Sequence, residues 1–181
     1  MPESCEPMTS GDPEKHDRGD AWFTTLFHNH LSAVHRFIVR RAQHEDVDDL
    51  TSETFATAWR RRSDIPEGFE LQWLYRTAGF TVANHHRKKH PVPVEVVPDH
   101  GGAADPYAGV IEDEILRVAF ASLAERDREI LMLAAWEGLT ATEIAQVQGT
   151  NANAAAVALS RARTRLHRAV TAADENHDDN M

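Results

Sequence analysis

The stretch that decides the fold is Leu139–Val170, LTATEIAQVQGTNANAAAVALSRARTRLHRAV. Thr140-Ala141-Thr142-Glu143 has the spacing of a capping box, in which a hydroxyl accepts from the third helical N–H and a carboxylate reaches back to the cap. Leu139 and Ile144 flank it at the spacing of a hydrophobic staple. A short helix is therefore predicted over Ala141–Gln148, burying Ile144, Ala145 and Val147 and ended by Gly149. Thr150-Asn151-Ala152-Asn153 turns the chain into a longer helix, whose stripe of Ala155, Leu159, Ala162 and Leu166 faces a core. Short helix, glycine-containing turn and second helix make a helix-turn-helix, which lays its second helix in the DNA major groove. The groove-facing positions are Asn151, Asn153, Ala156, Val157 and Ser160, because an amide reads adenine and small apolar groups touch a thymine methyl. Arg161, Arg163, Arg165 and Arg168 add positive charge along the same helix, and Thr140 joins the DNA-contact candidates from the first. Two packed helices of an ordinary bundle would share the apolar stripe; the arginines tilt the reading toward DNA.

Outward from this motif, the 181-residue chain has a formal net charge of −10, which looks wrong for a nucleic-acid binder. Divided along the chain, the charge reads differently. Residues 1–20 sum to −4, residues 91–114 to −6 and residues 171–181 to −4, whereas 21–90 and 115–170 each sum to +2. Acid sits in the expected tails and linker, and the folded segments are locally basic, which is what phosphate responds to. With 41% hydrophobic and 27% charged residues the chain reads as globular. No run approaches a membrane span, the acidic N-terminus does not read as a secretory signal, and Cys5 alone excludes an internal disulfide. A cytoplasmic location is expected.

The upstream half is helical as well. Residues 1–20 read as a disordered acidic tail. Trp22, Phe23, Leu26, Phe27, His30, Val34, Phe37, Ile38 and Arg41 then recur at three- and four-residue steps. A second helix starts near Asp46, where Asp46, Asp48 and Asp49 suit the positive end of a helix dipole; Val47, Leu50, Phe55, Ala58 and Trp59 are its stripe. Ser63–Gly68 breaks it, and a third helix runs over Glu70–Lys89. Four prolines and a glycine pair in 91–111 mark a linker. The expected architecture is all-α: a domain over 21–90, a linker over 91–111, a helix-turn-helix domain over 112–172 and an acidic tail over 173–181.

The segment Asp46-Val47-Asp48-Asp49-Leu50-Thr51-Ser52-Glu53-Thr54-Phe55-Ala56-Thr57-Ala58-Trp59-Arg60 closely resembles the polymerase-binding helix of extracytoplasmic-function sigma factors, group four of the sigma-70 family. Their pattern is D-D-L-x-x-E-T-F-x-x-A-W. Residues Trp73–Lys89 resemble the promoter-melting helix, Leu123–Leu131 the family's L-P-E-R-x-R-E-V-L, and Leu139–Ala145 its L-S-Y-x-E-I-A. Two positions depart: Gly79-Phe80 stands where the family usually has Arg-Asn, and Ala154–Leu159 where it commonly has T-V-K-S-R-L.

The resemblance implies a protein that carries RNA polymerase to promoter DNA, without catalysis of its own and without a cofactor. Asp46, Asp49, Leu50, Glu53, Phe55 and Trp59 would bind or support the polymerase clamp, with Phe55 and Trp59 largely core. Arg76, Asn84, His85, Arg87, Lys88 and Lys89 would contact the opening promoter. The second domain would dock on the polymerase flap, and an anti-sigma partner is implied as a possibility. Two other classes stay compatible with the residues: a dimeric helix-turn-helix regulator, and a sigma-like interaction protein that recognises no promoter. The densest histidines are His28 with His30, and His85 and His86 with His90; spacings of one and two do not share a helical face, no Cys or paired carboxylate joins them at ligand spacing, and no metal is expected.

Overall fold

The computed structural model describes residues 18–89 and 111–178. Cys5, His90, most of the expected N-terminal tail and all of the linker except Ile111 lie outside the described residues. Seven α-helices, two short 3-10 turns and no strand occur among the described residues: α1 Asp20–Val39, α2 Val47–Arg60, α3 Glu70–Lys89, α4 Glu114–Ala121, α5 Glu125–Ala135, α6 Ala141–Gln148 and α7 Ala152–Asp178. The fold is all-α, as the periodicity required.

The first half is a three-helix unit. Val34, Phe37 and Ile38 of α1, Leu50, Phe55 and Ala58 of α2, and Leu74, Tyr75 and Ala78 of α3 are buried in its core. The aromatics interlock: Phe37 stacks on Tyr75 with centroids 4.9 Å apart, and Phe27 meets Phe55 edge-on at 4.8 Å. Such pairs are worth about 0.5–1.5 kcal/mol beyond their burial. Burial pushes the Tyr75 hydroxyl pKa up to about 12, with the Glu137 carboxylate adding to the rise. Arg18, assigned from sequence to the tail, is folded: its guanidinium donates to the carbonyls of Arg62 and Ile65 and lies over the Trp22 ring. The chain is thereby tied across the loop that follows α2.

In the second half α7 is the spine against which α4, α5 and α6 all pack. Ala155, Leu159 and Ala162 are buried along it, and Leu166 packs half-buried below them. Asp113 caps α4 by accepting from the Leu116 N–H at 2.9 Å. Ile111, the last residue of the expected linker, is buried in this unit. α7 continues to Asp178 through the expected acidic tail, because Ala172-Ala173-Asp174-Glu175 contains no helix breaker.

The two halves pack against each other, α3 against α6. From the sequence they read only as domains on a linker.

Candidate partner and nucleic-acid interfaces

On α2 the sequence motif splits by face. Leu50 is 2% and Phe55 3% exposed, so both hold the helix in place and neither offers a contact surface. Both lie on the stripe that meets α1 and α3, so of the two roles expected for them, contact or support, their burial fits support. Trp59 is half-buried, edge-on to Phe23 at 5.2 Å and covered by the Arg62 guanidinium at 4.3 Å. Asp49 and Glu53, four residues apart, are exposed on one face. They form an acidic surface on a rigid helix.

Asp46 behaves differently. Its carboxylate takes Lys89 Nζ at 2.8 Å and stands 3.1 Å from His85 Nε2, joining the start of α2 to the end of α3. The Lys89 ammonium, and after it His85, holds the Asp46 carboxyl below its usual range, and the pair raises Lys89. Three residues read from sequence as separate partner and DNA contacts are thus engaged with one another.

α3 presents an outward strip at four- and three-residue steps: Arg76, Phe80, Asn84 and Arg87, all exposed. Arg87 donates to the Asn84 carbonyl oxygen, and Arg76 stands 5.8 Å from the Phe80 ring centroid. Phe80 is 60% exposed, the most open of the large exposed apolar side chains among the described residues. Sequence reading noted Gly79-Phe80 only as a departure and did not place Phe80 in the site; the signal was its spacing from Arg76 and Asn84. Lys88 is exposed beyond the strip. Aromatic, amide and cations on one face are the groups that bind single-stranded nucleic acid, by stacking and by phosphate pairing.

The helix-turn-helix has the geometry its caps dictate. Thr140 Oγ1 accepts from the Glu143 N–H, and Glu143 Oε2 accepts from the Thr140 N–H at 2.8 Å. Thr140, counted from sequence among the DNA contacts, is therefore occupied as a cap, and its N–H and hydroxyl hold the Glu143 carboxyl below its usual range. Gly149 ends α6 in the left-handed conformation, φ 66° and ψ 38°. The Asn151 side-chain oxygen accepts from Ala154 N–H at 2.8 Å, so Asn151 caps α7 and only its amide nitrogen remains for a base. Asn153, Val157 and Ser160 are exposed along α7, followed by Arg161 and Arg163. Arg165 is anchored by both oxygens of Asp127, at 2.7 and 2.8 Å. Asn153, Val157 and Arg161 line one cleft with Arg126 of α5. Among the described residues no group of three or more His, Cys, Asp and Glu could hold a metal ion, and no helix is long and apolar enough to cross a membrane.

The Sigma-70 region 2 family model matches residues 26–91, and the Sigma-70 region 4 model matches residues 113–166. The first match covers the three-helix unit and the second the helix-turn-helix unit, in the family's order. The chain belongs to the sigma-70 family, in its extracytoplasmic-function branch. It is 34% identical over 139 residues to the ECF RNA polymerase sigma factor SigD of Mycobacterium tuberculosis, covering 71% of this chain and 65% of SigD. It is 28% identical over 152 residues to SigE of Mycolicibacterium smegmatis, covering 79% of this chain and 56% of SigE. With the RNA polymerase sigma factor YlaC of Bacillus subtilis it shares 24% identity over 160 residues, 83% of this chain and 92% of YlaC. Thus the match spans little more than half of SigE but nearly all of YlaC. The fold is similar to that of the sigma factor RpoE in complex with the anti-sigma factor NepR from Bartonella quintana, with TM-score 0.59 and 20% identity over 82% of this chain and 96% of that one. CnrH in complex with the cytosolic domain of CnrY gives TM-score 0.58 and 22% identity over 85% and 90%. In this sigma factor the three-helix unit is region two and the helix-turn-helix unit region four.

Proposed function

We propose that this chain is the promoter-addressing subunit of an RNA polymerase holoenzyme: region two binds the polymerase clamp and the opening promoter, and region four reads the farther promoter element. The observation that carries the reading is the segregation of faces. Acid lies outermost on α2, aromatic and basic groups on α3, and small amide, hydroxyl and apolar groups on α7.

Asp49 and Glu53 are the clamp contacts, since no basic residue lies within one turn of either on α2 and their charge is left for a partner. Arg76, Asn84, Arg87 and Lys88 hold the opened strand, with Phe80 as a stacking platform. Asn153, Val157 and Ser160 read the major groove and Arg161 and Arg163 hold its phosphates, while region four docks on the polymerase flap. The chemistry of RNA synthesis belongs to the polymerase, and the chain supplies address and strand separation with no catalytic step and no cofactor. Work on polymerase and chromosome sets its place in the cytoplasm. An anti-sigma protein is a further partner, consistent with RpoE, the relative of similar fold that was solved in complex with the anti-sigma factor NepR.

The test is transcription from a genomic promoter library by purified core polymerase, with and without the chain. New start sites sharing two spaced upstream motifs are expected. Stable binding to core with no new starts would assign it instead to the interaction proteins.

A further inference from the structure

The start of α2 meets the end of α3 through a knot of charge inside region two. Lys89 Nζ lies 2.8 Å and His85 Nε2 3.1 Å from the same oxygen, Oδ2 of Asp46. Glu45 Oε1 and Gln43 Oε1 stand 3.3 and 3.4 Å from that ammonium. The Lys89 and His85 side chains keep 39% and 29% of their exposure, against 16% for Asp46, so the knot is open to solvent on its α3 side.

Asp46 belongs to one surface and its partners to another. At steps of three and four, Asp46, Asp49 and Glu53 follow one another along the acidic face of α2. His85 and Lys89 are four apart on α3, and at 3.6 residues per turn Lys88 falls between that row and Asn84 of the outward strip. Packing of the two helices rests on other residues, since Val47 and Leu50 of α2 and Ala78 and Val82 of α3 are buried in the core. A partly exposed ion pair adds little to stability. Its larger effect is on the field: it cancels one charge of the basic last turn of α3, Arg87-Lys88-Lys89, at the edge of the strip.

We propose that Asp46 is an exchangeable counter-ion that couples the two surfaces of region two. In the free chain it withholds Lys89 and His85 from nucleic acid. When a cation of the polymerase seats on the acidic face of α2, the carboxylate turns to it, and Lys89 with His85 passes to a backbone phosphate of the opened strand. The inference rests on the reading of α2 as the clamp face and of α3 as the strand face.

The test uses the full chain and a fluorescein-labelled single-stranded DNA oligonucleotide of mixed sequence, read by anisotropy at 50 and 200 mM salt. Asp46→Asn frees the cation, and Glu175→Gln on α7 removes the same charge at an exposed position away from the knot. One more phosphate contact should make Asp46→Asn bind about fivefold tighter at about 50 mM salt, an advantage that shrinks about 2.6-fold by about 200 mM. Adding Lys89→Met should abolish the gain. Lys89→Met alone should leave the free chain within about twofold, yet weaken binding to a pre-opened promoter by about fivefold once the chain is assembled on core polymerase. No gain for Asp46→Asn over Glu175→Gln overturns the proposal, as does a gain that survives Lys89→Met. Should Asp46→Asn lose helix content by circular dichroism, Lys89→Met decides: equal effects in the free chain and on core overturn the exchange. Failure of the sigma reading is distinct, since it appears as an unaltered chain that does not bind core, before any variant is compared.

Discussion

Region two and region four offer nucleic acid two different surfaces. On α3 the exposed strip carries a phenyl ring between cations, whereas the start of α7 carries Asn153, Val157 and Ser160, with no cation before Arg161. The first surface suits unpaired bases, because every base has a face to stack and phosphate is always within reach. The second can distinguish base edges but contributes little non-specific attraction. A reading helix with so little charge of its own needs delivery, and that is the role proposed for the acidic face of α2. The division of labour follows from where the charge sits.

Reversing that delivery surface has the largest expected effect. Asp49→Lys with Glu53→Lys should weaken binding to core polymerase by at least about 2 kcal/mol, the lower bound for losing one side of an interfacial charge pair, with helix content unchanged. Equilibrium binding to labelled core polymerase measures it, and unchanged affinity would remove α2 from the clamp interface. Next, Phe80→Ala should lose about 1–3 kcal/mol of single-strand affinity, the range for one stacked base, while duplex binding by region four stays constant. Equal losses on single and double strands would erase the distinction between the surfaces.

Asn153→Ala should lose about 1–3 kcal/mol of discrimination at one base pair of the distal element, read by competition among promoter variants. Identical base preferences would take Asn153 out of the groove. The α3 cations sharpen the contrast further. Neutralising Arg87 and Lys88 should reduce the slope of log affinity against log salt by about 0.7 for each phosphate that these side chains neutralise. Lys89, already paired with Asp46, should change it less.

The smallest effect concerns the cap of α6. The folded-state pKa of Glu143 is lowered by the Thr140 backbone N–H and then by its hydroxyl. The stabilisation is therefore fully present above the usual carboxylate pKa and is lost as pH falls through the folded value. Thermal melts between neutral and acid pH should show a loss of about 1 kcal/mol that Glu143→Gln flattens.

What was legible in the sequence was whatever is written locally. α3 and α6 run over the residues their spacing indicated, because Pro91 bounds one and the capping box and Gly149 bound the other. The acidic face of α2 was legible for the same reason, since residues four apart share a face. Contacts between distant segments were not. Arg40 with Glu137 and Asp46 with Lys89 depend on how helices cross, and no spacing within one helix records that. The second left a visible mark on the candidate site: residues that read as free to meet a partner, Asp46, His85 and Lys89, are engaged inside region two. Asn151 has a role that the sequence reading did not give it: an Asn one residue before a helix serves as a cap as readily as a base reader, and here it caps.

The division of labour is tested most directly by photo-cross-linking in the transcribing complex. A photoreactive residue is placed at position 84 or 153, and core polymerase is assembled on a promoter found in the library. Position 84 should cross-link to the unpaired strand of the bubble and position 153 to the upstream duplex. Cross-links from both positions to the same DNA segment, or from neither to DNA, would contradict it.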